Sequence, residues 1–252
     1  MPLSNLMVKV ESLRTTQQNR VERLVDSLLN GFEFEVSQES DFASREFALE
    51  FGDLLLLHHN ASSIPMTKDK FEYAFVDALS SIGLSAEKLP NGNPGADIVV
   101  GGIPWSLKTQ ADAQIKIDRL HISKFMELGK GEWETREDIS ELRNRMFFHM
   151  ANYSRIFSLR NLKRLRTEGK VEYLYELVEI PMSLLLSSQS FPIEIKENSR
   201  QNPKPASCLV TDADGNVSFE LYFDGGTERK LQVKAIDKNL CVVHATWGLS
   251  IE

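Results

Sequence analysis

The stretch NPGADIVVGGIPWSLKTQ, residues 93–110, decides the reading of this chain. Its runs ADIVV and IPWSLKTQ have the β-branched, alternating character of strands, and the glycine pair at 101–102 between them marks a tight turn. Side chains alternate along a strand, so Ser106, Lys108 and Gln110 share one face while Trp105, Leu107 and Thr109 share the other. Folding back about Gly101 and Gly102 brings Asp97 alongside Ser106 to Lys108, and a carboxylate and an ammonium then project together from a polar face. Taken alone, such a pair is more commonly a solvated cross-strand ion pair than a catalytic site. The elements around it shift that balance.

Upstream, Thr67 caps the helix KDKFEYAFVDALSSIG, in which Phe71, Ala74, Phe75, Ala78, Leu79 and Ile82 recur at three and four and which Gly83 ends. Strands are expected at 84–89, 96–100 and 103–109, separated by the turns NGNPG and GG. The segment HISKFMELGKGEW follows, and then a second long helix capped by Thr135, with Ile139, Leu142, Met146, Met150 and Tyr153 on one face. The order helix, three strands, helix resembles the PD-(D/E)xK nuclease signature, here as GAD at 95–97 and SLK at 106–108. Further out, the first 35 residues read as one packing helix ended by Asn30-Gly31, and residues 36–50 are polar. RIFSLRNLKRL and VEYLYELVEI read as strands joined by a turn at 167–170. The runs FPIEIKE, SCLVTD, SFELYFD, KLQVKAI and CVVHATW make the last third mostly β, with SRQNPKP as an exposed loop. The fold class expected is α/β (α+β): a mixed central sheet flanked by helices, with a β-rich C-terminal part. Its parts are an N-terminal helical segment over 1–50, the core over 51–180, and a β-rich part over 181–252, packed on the core and serving DNA binding or dimerisation.

Composition sets outer limits. With 252 residues, 42% apolar and 26% charged, the chain can bury a sizeable core, and its net charge of −7 argues against a passive nucleic-acid coat. A locally basic cleft remains compatible with that charge, and a metal site calls for acids. The apolar runs at 54–57 and 183–188 fall far short of the roughly 20 residues a membrane helix needs, and no secretory signal is apparent, so a cytoplasmic location is expected. Cys208 and Cys241 have no CxxC partner and read as buried thiols. His58 and His59 lack further ligands at zinc-like spacing, and His121, His149 and His244 stand alone.

Phosphodiester hydrolysis accounts for the residue types in the opening stretch. Asp97 would hold Mg²⁺ against a non-bridging oxygen, with the backbone carbonyl of Leu107 as a further ligand, and Lys108 would orient the attacking water. A lysine starts near a pKa of ~10.4, so work as a general base would require a large depression. Ser106 leaves the metal one acid short. Glu72 is the first substitute, because at about 100° per residue it falls inside the apolar arc of its helix, where a charge needs a partner. The alternative is a glutamate at the edge of the stripe that swings into water. Glu127, after the lysine strand, is a second reserve acid or an ordinary helical surface charge.

Longer runs carry a closer resemblance. LHHNASS, FEYAFVDAL, NPGADI, LKT, HISKFMELGKGEW, LVEIP, NPKP and LYFDGGTERKLQVK, spread from about residue 50 onward, resemble the SmaI-type restriction endonucleases. The first 50 residues show no matching run. The resemblance implies a type II enzyme that cuts double-stranded DNA with Mg²⁺ at a palindrome like CCCGGG, leaving blunt ends. It also implies a homodimer paired functionally with a cognate DNA methyltransferase. For a G·C-rich site, Arg and Lys match the guanine N7 and O6 acceptors, which makes Arg200, Lys204, Arg229 and Lys230 candidates for base readout or phosphate contact, with Gln110 added from the strand face. Two rivals stay open at this point: a repair or junction nuclease of the same fold, and a DNA-binding module that has lost catalysis.

Overall fold

The computed structural model describes residues 3–90, 92, 95–112, 115–167 and 170–251. Asn91, Asn93 and Pro94 of the NGNPG turn, and Glu168 and Gly169 of the turn at 167–170, lie outside them. The N-terminal segment is two helices rather than one, α1 (Leu3–Glu11) and α2 (Thr15–Asn30). They part at Arg14, whose backbone N–H donates to the Gln17 side chain at 3.0 Å and so starts the second helix. Gly31, at φ 67°, turns the chain into a short strand, β1 (Glu33–Val36). A third helix, α3 (Arg45–Ala61), begins inside the stretch expected to be merely polar, with Ser44 accepting from the Phe47 N–H at 3.2 Å.

Then follow α4 (Lys68–Ser81), β2 (Ala86–Lys88), β3 (Ile98–Val100), β4 (Ile103–Gln110) and β5 (Arg119–Glu127). Helix α5 (Arg136–Met150) starts at a capping box in which Thr135 and Asp138 bond reciprocally. The remaining elements are β6 (Arg155–Thr167), β7 (Lys170–Glu179), α6 (Met182–Leu186), β8 (Glu194–Ile195), β9 (Ala206–Thr211), β10 (Val217–Phe223), β11 (Lys230–Asp237) and β12 (Val242–Ile251).

These strands form two sheets. The larger has the order β1-β12-β7-β6-β4-β3-β2, and the smaller β5-β11-β10-β9-β8. Within the large sheet β4 and β6 run parallel and their neighbours antiparallel, so the sheet is mixed, and the link between the parallel pair carries β5 and α5. The strands do not divide at 180/181. β12 crosses back into the large sheet between β1 and β7, while β5 leaves it to pair with β11.

Alternation gives each face of the large sheet its own core. Trp105, Leu107, Phe157, Leu177 and Trp247 pack against Phe47, Phe51, Phe71 and Phe75 of α3 and α4. Ile156 and Val178 of the other face join Met146 and Met150 of α5 and Phe219, Leu221 and Leu231 of the small sheet. His58 and His59 sit in the last turn of α3 as packed polar groups: His58 Nε2 meets the Ile64 carbonyl at 2.9 Å and His59 Nε2 meets the Tyr175 hydroxyl at 2.8 Å. The loop SRQNPKP is exposed at Arg200 to Asn202 but buried at Pro203 and Pro205. Any Cβ at Gly225 would fall 1.8 Å from the Pro203 carbonyl oxygen, so only glycine lets the two loops meet.

Candidate active site

The hairpin of β3 and β4 pairs Ile98 with Trp105 and Val100 with Ile103, and Gly101 and Gly102 supply the positive φ values, 57° and 82°, of its turn. Asp97 lies one residue before the ladder, anchored by its own N–H on the Trp105 carbonyl at 2.9 Å. Its Oδ2 accepts from the Leu107 N–H at 2.6 Å and from the Ser106 hydroxyl at 3.2 Å. Ser106 Oγ in turn accepts from Lys108 Nζ at 3.0 Å. The serine therefore links the two charged groups, and it is fully buried. The N–H and C=O of one strand residue point to the same edge, so the Leu107 carbonyl is aimed at the edge where Asp97 ends the pairing. Gly95, at φ 86°, brings the chain within 3.0 Å of the Tyr153 ring and the His149 carbonyl at its missing Cβ, which fixes the approach of Asp97 to α5.

The helical period that placed Glu72 in the apolar arc places it beside this hairpin. Its side chain is only 8% exposed and each carboxylate oxygen has a cation: Lys68 Nζ at 3.1 Å from Oε1 and Lys88 Nζ at 3.0 Å from Oε2. The same Lys68 Nζ donates to Asp97 Oδ1 at 2.6 Å, so a single ammonium bridges Asp97 and Glu72. Burial pulls the Lys68 pKa down, but the contacts with Asp97 and Glu72 outweigh it and hold the pKa above the ordinary lysine value. Sequence reasoning did not single out Lys68. Its signal was available as the i, i+4 relation to Glu72 from the first residue of α4, although the Thr67 side chain expected to cap that helix makes no capping hydrogen bond.

Lys108 is in the opposite state. Burial depresses its pKa to about 8, reinforced by Lys68 and opposed by the attraction of Asp97 and Glu72. It stands at the floor of a cleft of about 470 Å³ that is also lined by Lys68, Asp97, Lys124, Glu127 and His149. His149 is kept below the usual histidine pKa by burial and then by Lys108, so the cleft wall is neutral there at physiological pH. Glu127 belongs to strand β5 rather than to a helix. It lines the opposite wall and pairs with Lys124 at 2.8 Å.

A second cavity of about 760 Å³ shares Glu127 with this cleft and is bounded by Lys130, Gln201, Asn202 and the loop 225–229. Arg229 lines it, but its guanidinium donates to the Lys130 carbonyl and, at 2.6 Å, to that of Gly131. Lys230 is paired with Glu228 at 2.7 Å and Lys204 with Glu197 at 2.5 Å, whereas Arg200 is exposed on its loop. Gln110, expected to reach DNA, is buried instead. Its Oε1 accepts from Arg160 Nε at 3.0 Å and from the His121 N–H at 3.2 Å, because β5 covers the polar face of β4 at that end.

One more acidic group, Asp41, Glu179 and His244, has ligand-type atoms within 4.8 Å of one another. Arg155 already bonds both carboxylates, at 2.8 to 2.9 Å for Asp41 and 2.5 to 2.9 Å for Glu179, and this cluster is an ion-pair network at the start of β6.

A family model described as SmaI, type II site-specific deoxyribonuclease, matches residues 12–249 of this sequence. The chain belongs to the SmaI family of type II site-specific deoxyribonucleases. The type II restriction enzyme SmaI of Serratia marcescens is 43% identical over 208 residues, which are 82% of this chain and 81% of that protein. No solved structure matches. The SmaI-family match takes in α2 and β1, where the sequence alone offered no recognisable run. Membership makes the chain a site-specific DNA-cleaving enzyme, and among the described residues no helix is long and apolar enough to cross a membrane.

Proposed function

We propose that Asp97, Glu72 and the Leu107 carbonyl hold Mg²⁺ at the floor of the cleft, and that the enzyme cuts both DNA strands at a G·C-rich palindrome of the CCCGGG type to leave blunt ends. The observation that carries the metal assignment is the ammonium of Lys68, a cation bridging Asp97 and Glu72 at 2.6 and 3.1 Å. Two carboxylates that converge on one positive charge beside an open cleft have the donor chemistry a hard divalent ion requires. When bound, such an ion polarises the phosphoryl oxygen and lowers the pKa of a water.

The chain's own groups supply the rest. Lys108 Nζ faces the cleft from the strand next to Asp97, where it orients the attacking water. With its pKa at about 8, the neutral amine also accepts the proton of that water, a role the sequence alone could not support. Ser106 holds Lys108 and Asp97 in register, and the neutral His149 keeps positive charge from accumulating beside Lys108. Arg229 lines the second cavity and Arg200, Lys204 and Lys230 lie close in sequence to residues that line it, and their charges meet phosphates or guanine edges as duplex DNA runs from one cavity to the other. A palindrome presents one half-site twice, so the working form is a two-fold homodimer with one centre per strand. The enzyme acts in the cytoplasm beside a methyltransferase that protects the same site.

Digestion of a plasmid of known sequence, with mapped ends, tests the reading. Symmetric blunt cuts at one G·C-rich palindrome in Mg²⁺ are expected, and Asp97→Asn should still bind cognate DNA in Ca²⁺ but fail to cut it in Mg²⁺. Staggered or sequence-independent ends would overturn the target, and near wild-type cutting by Asp97→Asn would overturn the site.

A further inference from the structure

We infer that Lys68 is a built-in counter-cation: its ammonium holds Asp97 and Glu72 together in the free protein and is exchanged for the divalent ion when the enzyme loads metal. The inference rests on the metal site proposed above and adds a residue that assignment does not need. Two carboxylates near each other in a partly buried pocket repel, and without a cation between them one would swing away. Lys68 Nζ sits 2.6 Å from Asp97 Oδ1 and 3.1 Å from Glu72 Oε1, and so keeps both carboxylates facing one point. Asp97 cannot turn aside on its own, since its other oxygen is held by the Leu107 N–H at 2.6 Å.

The lysine itself is free to leave. Its side chain is 43% exposed, against 14% for Asp97 and 8% for Glu72, and it lines the cleft, so its ammonium can move into solvent without a change in the backbone of α4. Lys88 makes an instructive contrast: it bonds the outer oxygen of Glu72 at 3.0 Å, its side chain is 12% exposed, and it does not bridge to Asp97. The cation that can be exchanged and the cation that stays are thus two different lysines on one glutamate. Preorganisation and competition follow together. The site is already shaped for an ion, and every ion that enters must displace an ammonium, so loading of the free protein is weak.

The test measures Mn²⁺ binding to the DNA-free protein by electron paramagnetic resonance of the unbound ion, for wild type, Lys68→Met, Lys88→Met and Lys68→Met/Asp97→Asn. The expected result is that Lys68→Met tightens Mn²⁺ binding by about tenfold, which is about 1.4 kcal/mol, and that Lys88→Met changes it several-fold less. Unchanged or weaker binding by Lys68→Met overturns the exchange, as does an equal gain from Lys88→Met, which would mark a general charge effect. Loss of binding in the double variant, whatever Lys68→Met does alone, supports the metal site; retention there overturns that site and the exchange with it. Lys68→Gln, which preserves polarity, repeats the measurement should Lys68→Met fail to fold, and the same outcomes apply.

Discussion

Two glutamates of this enzyme are buried between two cations each, and they serve different ends. Glu176 on β7 lies against Arg160 through one oxygen and against Lys238, at 3.1 Å, through the other. Arg160 is wholly buried, and its remaining N–H groups are taken by Gln110 and by the carbonyls of Lys116, Ile117 and Arg119. Every donor of Arg160 is used, and that cation cannot leave without carrying an unpaired charge through the interior. Glu72 has the same count of cations, but one of them is shared with Asp97 and nearly half exposed to a cleft. A closed ion cluster fixes the join between β4, β6 and β7, whereas an open one can trade a lysine for another cation. What separates structure from chemistry here is whether a partner can leave, since burial of the acid is common to both.

The largest expected effect breaks the open cluster at its centre: Asp97→Asn should lower cleavage by at least about 10³-fold, since several kcal/mol of charge stabilisation go with the carboxylate, while its melting temperature stays near wild type. Glu176→Gln should do the reverse. Removing one partner of a buried pair costs about 3–5 kcal/mol, which for a chain of this size is a drop on the order of 10 °C in melting, and cleavage at low temperature should be retained. Glu72→Gln lies between them, with the Mg²⁺ needed for half-maximal cutting raised roughly tenfold to a hundredfold and little change in melting. A melting loss as large as that of Glu176→Gln, without a shift in Mg²⁺ requirement, would make the two glutamates equivalent and erase the distinction.

A pH profile sharpens it further. The Lys108 pKa is depressed to about 8, so the neutral amine is the minor form at pH 7 and becomes the major one as pH rises through 8. The cleavage rate should therefore climb about tenfold between pH 7 and 9 if Nζ accepts the proton, and Lys108→Arg, charged throughout this range, should show a lower and flat profile. A steep rise that survives in Lys108→Arg would assign the titration elsewhere. The smallest effect belongs to the exposed charges. Arg200→Ala should weaken binding to cognate and non-cognate DNA alike and reduce the salt slope by about 1, measured by titration at several ionic strengths.

The hairpin of β3 and β4 could be read from the sequence because its geometry is local: a glycine turn and strand alternation suffice to bring Asp97 to Ser106 and Lys108. Glu72 followed from the helical period, and its inward position is what the structure has. Lys68 went unread because an exposed lysine on a helix is the commonest of surface residues, and only the fold shows that its tip reaches Asp97, 29 residues away. Helix α3 was overlooked because its apolar positions, Phe47, Ala48, Phe51, Leu55 and Leu56, begin just after a polar stretch and end in two histidines that belong to the core. Strand β5 was hidden by register breaks against β11, which space its buried residues Leu120, Ile122 and Phe125 unevenly. Its departure also explains Gln110, whose face looked open until the neighbouring strand was in place. Pairings between distant strands, above all β12 with β1 and β7, leave no mark in any short window.

That last pairing orders the birth of the enzyme in time. Residues 242–251 are inserted between β1 and β7, and Trp247 within them is buried against Phe47 and Phe51 and donates to the Ala48 carbonyl at 2.8 Å. While a ribosome is still making this segment, α3 has no finished sheet to lie on and β1 has no neighbour. Closure of the large sheet therefore waits on contacts some 200 residues apart in sequence, which makes its formation slow and late. A nascent chain can form the hairpin that carries Asp97 and Lys108 long before β12 is available to seat α3.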